Sequence, residues 1–324
     1  MLVPPIATAP RPVPGQLRRI GGATMGTVWS LLWVDPGRPD PRPLVEAALA
    51  SVVQQMSAWE EGSDLCRFNR APAGSWHALP GAFAMVLRAA LAVAAATDGA
   101  FDPTLGRLVD LWGFGPNPPP WPAPPPAAAL AAARGAAGWQ RLRQDTEGRF
   151  LQPGGLAIDL NGIAKGHAVD RVAARLLDAG LTGFLLEIGG ELRGEGVRPD
   201  GTPWWVALEG PPEAGAATEL LVALHGLSVA TSGDYRRGFS HGGRRYAHTL
   251  DPAEGVPLGA SVAAVSVLAG DCLHADAWAT ALTVLGPEAG PAYAARHGLA
   301  ARFLLRGPSG LAEVMSPALA AMLD

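Results

Sequence analysis

The spacing of apolar and polar positions separates a helix-rich early part of this chain from a strand-dense later part. Residues 23–34 (ATMGTVWSLLWV) are rich in β-branched and aromatic side chains and predict the first strand. Residues 43–55 place apolar positions three and four apart behind a proline suited to a first helical turn, and residues 81–96 repeat the pattern; both predict helices. A further helix is expected over 168–179, with Asp170, Arg171 and Arg175 on its polar side. Short apolar runs between Gly, Pro and Asp then predict strands over 182–187, 191–197, 204–208, 218–224, 227–231, 244–250 and 262–268. Residues 271–285 and 288–297 read as two helices and 301–305 as a last strand. Runs of strands broken by a few long helices imply an α+β fold with largely antiparallel sheets and packed helices.

Two stretches interrupt this pattern in a way that suggests chemistry. Residues 56–69 (MSAWEEGSDLCRFN) are too polar at their centre for core and too varied for a linker, which marks a functional loop. Residues 157–170 (AIDLNGIAKGHAVD), followed by LLEIGG at 185–190, read as strand, Gly-flanked turn with one lysine, helix, and a strand ending in Gly-Gly. Glycines let backbone approach anionic oxygens, and a helix start offers N–H groups and a positive dipole end. Taken alone, that segment is a possible anion site and no more.

Composition narrows the classes. With 324 residues and 48% hydrophobic content there is room for one large domain or two intimate ones. A net charge of −4 without a basic block argues against a nucleic-acid partner. Cys66 and Cys272 stand outside any CxxC or Cys/His cluster, so neither zinc nor a disulfide framework is signalled, although a single bridge stays open. No run is long enough to span a bilayer. Residues 1–19 form a proline-rich lead-in expected to be disordered, without the apolar core of a signal peptide, and 20–324 form the functional domain. Within it, 117–137 is a surface insertion: a stiff polyproline arm over 117–126, then a short alanine-rich helix. The absence of a leader or lipid-anchor cysteine points to a cytoplasmic protein, or an exported one if a native leader is missing from the chain.

Several segments, in this order and covering nearly the whole chain, together resemble the ApbE family of FAD:protein FMN transferases, once called thiamine-biosynthesis lipoproteins. They are MGT at 25–27, MSAWEEGSDLCRFN at 56–69, GAFDPTLGRLVDLWGFGP at 99–116, AIDLNGIAKGHAVD and EIGGE at 157–191, VATSGDYR and YAHTLDP at 229–252, and HADAWATAL at 274–282. The resemblance implies an ApbE-like fold of two intimately associated subdomains with FAD between them. It implies Mg²⁺-dependent transfer of FMN from FAD to a threonine of an acceptor flavoprotein, such as a redox or respiratory subunit, with release of AMP. Such a phosphoryl-type transfer requires a placed diphosphate, neutralised charge, a deprotonated hydroxyl and exclusion of water.

Each task has candidates. Asp276 and Thr280 are four apart on a helix and share a face, giving hard oxygen ligands suited to Mg²⁺; on spacing alone, a carboxylate bonding within an alanine-rich helix is the preferred reading. By the resemblance, carbonyls of the turn at Gly162 and Ala164 complete the metal's shell. Lys165 and the turn's N–H groups would cradle the diphosphate, where a solvated helix-start lysine is the plainer alternative. His248, oriented by Asp251, is the expected base, with Asp251 itself the other candidate.

Trp59 would stack on the flavin, with Met25 near it and Asp102 lining the same site. Glu187, Gly189, Gly190, Asp170, Ser232 and Asp234 resemble the part that holds the adenosine side. Their plainer readings are core packing, turns and a solvated helix face. The chain departs from the family's usual pattern at Asn161 and Cys66, neither a proposed ligand, and in lacking a leader. Three rivals share these residues or the arm: an Mg²⁺-dependent FAD pyrophosphatase giving FMN and AMP, a non-catalytic FAD-binding protein, and a scaffold read through the polyproline arm. A stacked Trp59 would disfavour the hydrolase by shielding the site from water.

Overall fold

A computed structural model describes residues 1–4, 11–119, 123–214 and 220–323. In chain order the elements begin with strands β1 (Gln16–Thr24) and β2 (Thr27–Asp35) and helices α1 (Arg42–Met56) and α2 (Asp64–Asn69). Strand β3 (Ser75–His77), helices α3 (Gly81–Ala96), α4 (Gly106–Leu111) and α5 (Ala127–Ala136), strand β4 (Phe150–Gln152) and helix α6 (Ala164–Asp178) follow. Next come β5 (Phe184–Ile188), β6 (Glu191–Glu195), β7 (Trp204–Leu208), β8 (Leu220–Leu224) and β9 (Leu227–Gly233). Then β10 (Gly238–His241), β11 (Arg244–Ala247), β12 (Leu250–Asp251), β13 (Val256–Pro257) and β14 (Val262–Ala269). Helix α7 (Cys272–His297), β15 (Ala300–Gly307), β16 (Gly310–Met315) and α8 (Pro317–Ala320) complete the series.

These elements fall into two compact units. The first comprises Met1–Ser51, Ile163–Gly233 and Ser261–Asp324. Among its described residues is an eight-stranded sheet in the order β1-β2-β5-β6-β9-β14-β15-β16, antiparallel at every ladder. Its central strand β14, VAAVSVLA, is apolar almost without alternation because both its faces are covered. Val265 and Val267 pack with Ala279 and Leu282 of α7, whereas Leu268 joins Trp204, Val206, Val222 and Leu224 of the β7–β8 ribbon.

The strand expected over 23–34 is instead the end of one strand and the body of the next. Met25 and Gly26 form a two-residue turn with φ of 47° and 69°, the backbone such a hairpin needs to match strand twist. The lead-in contributes to this unit as well: Leu2 is fully buried and donates its N–H to Leu221 O at 2.8 Å, and β1 already starts at Gln16. Helix α6 begins four residues before the expected 168, so Lys165 lies in its first turn. The two expected C-terminal helices are the two parts of α7, broken at Gly286, whose φ of 85° and ψ of −174° no helix tolerates, with Pro287 opening the second part. Both cysteines are free thiols, and burial pushes that of Cys272 well up.

The second unit comprises Val52–Gly162 and Asp234–Ala260. Leu105, Leu108, Trp112, Phe114, Ala133 and Leu250 form one of its cores, with Phe239 and Tyr246 packed against it. Part of the expected loop at 56–69 is the helix α2, capped by Ser63, whose Oγ accepts from Cys66 N at 3.0 Å. The strand expected over 244–250 divides because its partners change: β11 pairs with β10, β12 with β13. Of the expected strand at 218–224, residues 218–219 lie outside the described residues, as do 5–10 of the lead-in and 120–122 of the polyproline arm.

Helices α6 and α7 meet at Gly166. A Cβ there would lie 2.2 Å from Cys272 O and 2.9 Å from Asp276 Cβ. Gly166→Ala is therefore expected to force the helices apart and lower stability by about 2–3 kcal/mol, measured as a fall in urea midpoint at unchanged m.

Candidate functional site

In the first unit the α6–α7 crossing brings several expected residues together. Gly166 N donates to Asp276 Oδ2 at 3.0 Å, which ties the start of α6 to the second turn of α7. Asp276 is 4% exposed, and among the described residues its Oδ1 accepts no hydrogen bond. Burial raises its carboxyl pKa, and the nearby Lys165 ammonium and the Gly166 N–H pull it back. One turn later Thr280 Oγ1 lies 3.1 Å from Ser232 Oγ at the end of β9. Asp276, Thr280, Ser232 and Lys165 thus converge.

Lys165 also meets a residue to which the sequence gave no role. Its ammonium forms an ion pair with Glu191, whose side chain is almost fully buried at the start of β6. The only signal for Glu191 was its place directly after Gly189-Gly190, where the chain turns with φ of 63° and 100°. A Cβ on Gly189 would meet Thr27 Cγ2 at 2.8 Å, so the glycine lets this turn press on the β1–β2 turn that carries Met25. The β2–β5 register sets Ser30 opposite Glu187, and Ser30 Oγ donates to Glu187 Oε2 at 3.3 Å. Met25, Glu187, Gly189 and Gly190 are therefore neighbours.

Asp170, expected on the adenosine side, also has a task within the fold. Its two carboxylate oxygens accept the N–H groups of Cys272 and Leu273, each at 2.8 Å, and Arg193 reaches Oδ1 at 3.4 Å. Burial raises its pKa and these backbone donors lower it. Asp271 caps the following His274 N at 2.8 Å. Two carboxylates thus hold the start of the helix that carries Asp276 and Thr280.

In the second unit Trp59 is 48% exposed, with the Arg237 guanidinium 6.0 Å from its ring centroid. Arg237 also donates to Phe114 O at 3.1 Å, and its own carbonyl lies 3.3 Å from His248 Nδ1. A carbonyl only accepts, so Nδ1 carries the proton and Nε2 is left with the lone pair. The expected pairing of Asp251 with His248 is not made: Asp251 Oδ1 accepts from Ala253 N at 2.8 Å and Glu254 N at 3.2 Å, closing its own turn. The Arg237 carbonyl orients the imidazole instead. Asp102 is likewise engaged locally, accepting from Thr104 Oγ1 at 2.6 Å and Trp139 N at 3.2 Å. Asp234 O accepts from Arg245 at 2.9 Å.

Asp159 was not singled out from the sequence, although a carboxylate inside the apolar run AIDL was a signal. Burial pushes its pKa up to about 6, Asp110 adds to the rise, and Asn161 and Arg237 oppose it. Among the described residues no three His, Cys, Asp or Glu side chains gather as a metal cluster. The oxygen donors gathered around Asp276, with the hydroxyls of Thr280 and Ser232, are hard ligands of the kind that suit Mg²⁺.

The ApbE family profile matches residues 25–303. This chain belongs to the ApbE family. It is 35% identical to the FAD:protein FMN transferase of Klebsiella pneumoniae over 318 residues, 96% of this chain and 91% of that protein. It is 33% identical to the FAD:protein FMN transferase of Escherichia coli K12 over 91% of this chain and 86% of that one. Its fold matches the apo flavinyl transferase ApbE of Pseudomonas stutzeri with a TM-score of 0.87, 41% identity and coverage of 95% and 96%. It matches the flavin transferase ApbE of Vibrio cholerae with a TM-score of 0.87, 33% identity and coverage of 96% and 100%. No described helix of this family member is long and apolar enough to cross a membrane.

One buried group in α6 gives the unit a pH signature. His167 is 6% exposed, its Nε2 has no hydrogen-bond partner among the described residues, and burial with the nearby Arg171 depresses its pKa to about 4. Between pH 6.5 and 4 the unfolded chain binds a proton at His167 that the folded chain refuses, so this residue removes stability as the pH falls through that window. Asp159 acts with opposite sign between 3.8 and about 6, since there the folded chain holds the extra proton. His167→Phe is therefore expected to recover about 2 kcal/mol at pH 4.5 relative to its effect at pH 7.5, measured by urea unfolding at both values.

Proposed function

We propose that this chain transfers FMN from FAD to a threonine hydroxyl of an acceptor protein, with Mg²⁺ and with release of AMP. The observation that carries the reading is the Asp276–Thr280 face of α7, tied through Gly166 to the lysine-bearing start of α6, in a chain whose relatives are named for this reaction. Asp276 Oδ1 and Thr280 Oγ1, with the Ala164 carbonyl, would hold Mg²⁺. When bound, the ion would neutralise charge on the FAD diphosphate and on the departing AMP phosphate.

The remaining roles belong to the chain's own groups. Lys165 and the N–H groups at the start of α6 bind diphosphate oxygens, and Glu191 positions the lysine by pairing with its ammonium. Met25 of the first unit faces the flavin, and Trp59 is the exposed aromatic of the second unit suited to stacking. Glu187, Gly189, Gly190, Asp170 and Ser232 of the first unit line the adenosine side. Asp170 also fixes the start of α7. The acceptor oxygen attacks the phosphorus on the FMN side, the bond from that phosphorus to the AMP phosphate oxygen breaks, and AMP leaves with the bonding electrons. His248 Nε2 takes the hydroxyl proton, its Nδ1–H held by the Arg237 carbonyl.

Two measurements test this reading. Asp276→Ala should abolish Mg²⁺-dependent AMP release while FAD binding, followed by flavin fluorescence, is partly retained; undiminished turnover would remove Asp276 from the metal. Mass spectrometry of a co-expressed acceptor should find FMN bound to a threonine, and His248→Gln should slow its appearance by about 10²-fold or more. Rapid FMN release from FAD without an acceptor would replace transfer by hydrolysis.

A further inference from the structure

The β10–β11 hairpin carries more positive charge than its fold requires. No Asp or Glu occurs between Asp234 and Asp251, yet Arg236, Arg237, Arg244 and Arg245 do, in a chain whose net charge is −4. All four arginines are exposed. Arg237 acts electrostatically on the buried Asp159 carboxylate, whereas Arg244 and Arg245 have no carboxylate partner among the described residues. Arg237 lies over Trp59, Arg244 lies 5.1 Å from the Tyr246 ring centroid, and Arg245 donates to the carbonyls of Asp234 and Tyr235 at 2.9 and 3.3 Å. Arg244 and Arg245 lie on the ribbon itself, opposite His241 and Ser240, and Arg236 and Arg237 precede it.

The mounting of the hairpin is rigid. Phe239 and Tyr246 stack across the two strands with ring centroids 5.1 Å apart. Tyr246 stacks on Trp112 at 5.6 Å, and Phe114 touches both Phe239 at 5.7 Å and the edge of His248 at 6.4 Å. An aromatic wedge therefore fixes the charged ribbon relative to His248, which follows β11 directly.

We propose that the Gly238–Ala247 hairpin is a docking surface for a carboxylate-rich segment of the acceptor protein, with Arg244 and Arg245 as its contacts. The proposal rests on the transferase reading for the acceptor's chemistry. Exposed ion pairs add little affinity singly, so the effect lies in encounter and in choice of partner, and it fades with salt. A protein segment is favoured over a nucleic acid or a membrane because the chain's net charge is −4 and two arginines make a small basic patch for a phosphate surface.

The test uses the full chain and two fluorescein-labelled peptides with a central threonine, one flanked by glutamates and one by lysines. Fluorescence anisotropy in low salt should give at least tenfold tighter binding of the glutamate peptide, a preference lost near 0.5 M NaCl. The double variant Arg244→Gln/Arg245→Gln should weaken that peptide at least fivefold with an unchanged circular dichroism spectrum. The pair Arg244→Lys/Arg245→Lys should stay within about twofold of the natural chain, which separates charge from folding. Equal binding of the two peptides, no binding of either, or no effect of the glutamine pair would overturn the proposal. So would capture on phosphatidylglycerol vesicles through these arginines that the glutamate peptide fails to displace. AMP release from FAD is followed separately: its absence would sink the transferase reading while the peptide preference stood.

Discussion

The bare α-carbon of Gly166 is the constraint on which the first unit's chemistry depends. Only a hydrogen at that position lets α6 come close enough for its backbone N–H to reach Asp276. That single bond joins the helix bearing the lysine to the helix bearing the carboxylate and the threonine. Asp170 supports the same junction from farther along α6, with two backbone N–H groups of α7 on its carboxylate. Removing either would leave the expected ligands present but no longer held toward one point.

Charge is handled in the same economical way in both units. Asp276 and Glu191 are buried carboxylates that share one lysine, so the ammonium offsets two desolvation costs at once. Asp159 forms no ion pair among the described residues, and burial pushes its pKa up to about 6. His248 Nδ1 lies 3.3 Å from the neutral Arg237 carbonyl.

Much of this was legible in the sequence because it rests on local rules. Periodicity marked residues 81–96 as a helix with the ends that α3 shows, and the Gly-Pro at 286–287 separated the two parts of α7. Spacing by four put Asp276 and Thr280 on one face. What escaped was set by contacts between distant segments or by a single dihedral. Met25 reads as a strand residue, and only its left-handed backbone reveals the turn. Asp170 reads as a polar-face residue, whereas α7 packs over that face and consumes it. Asp251 sits three residues from His248, but its own turn captures the carboxylate before the histidine can. The basic hairpin escaped because its arginines are split by a turn and form no continuous run.

The order of the segments also has a temporal meaning. The first unit is assembled from three separated stretches, and its central strand β14 lies beside α7, both in the last of them. A ribosome delivers the lysine turn long before it delivers Asp276, and the β1, β2, β5, β6 side of the sheet waits on an open edge at β9 until β14 arrives. Such non-local closure makes for slow folding. It also means that a nascent chain cannot assemble the α6–α7 junction piecemeal, so the capacity to act on a diphosphate would arise only with the final closure of the sheet.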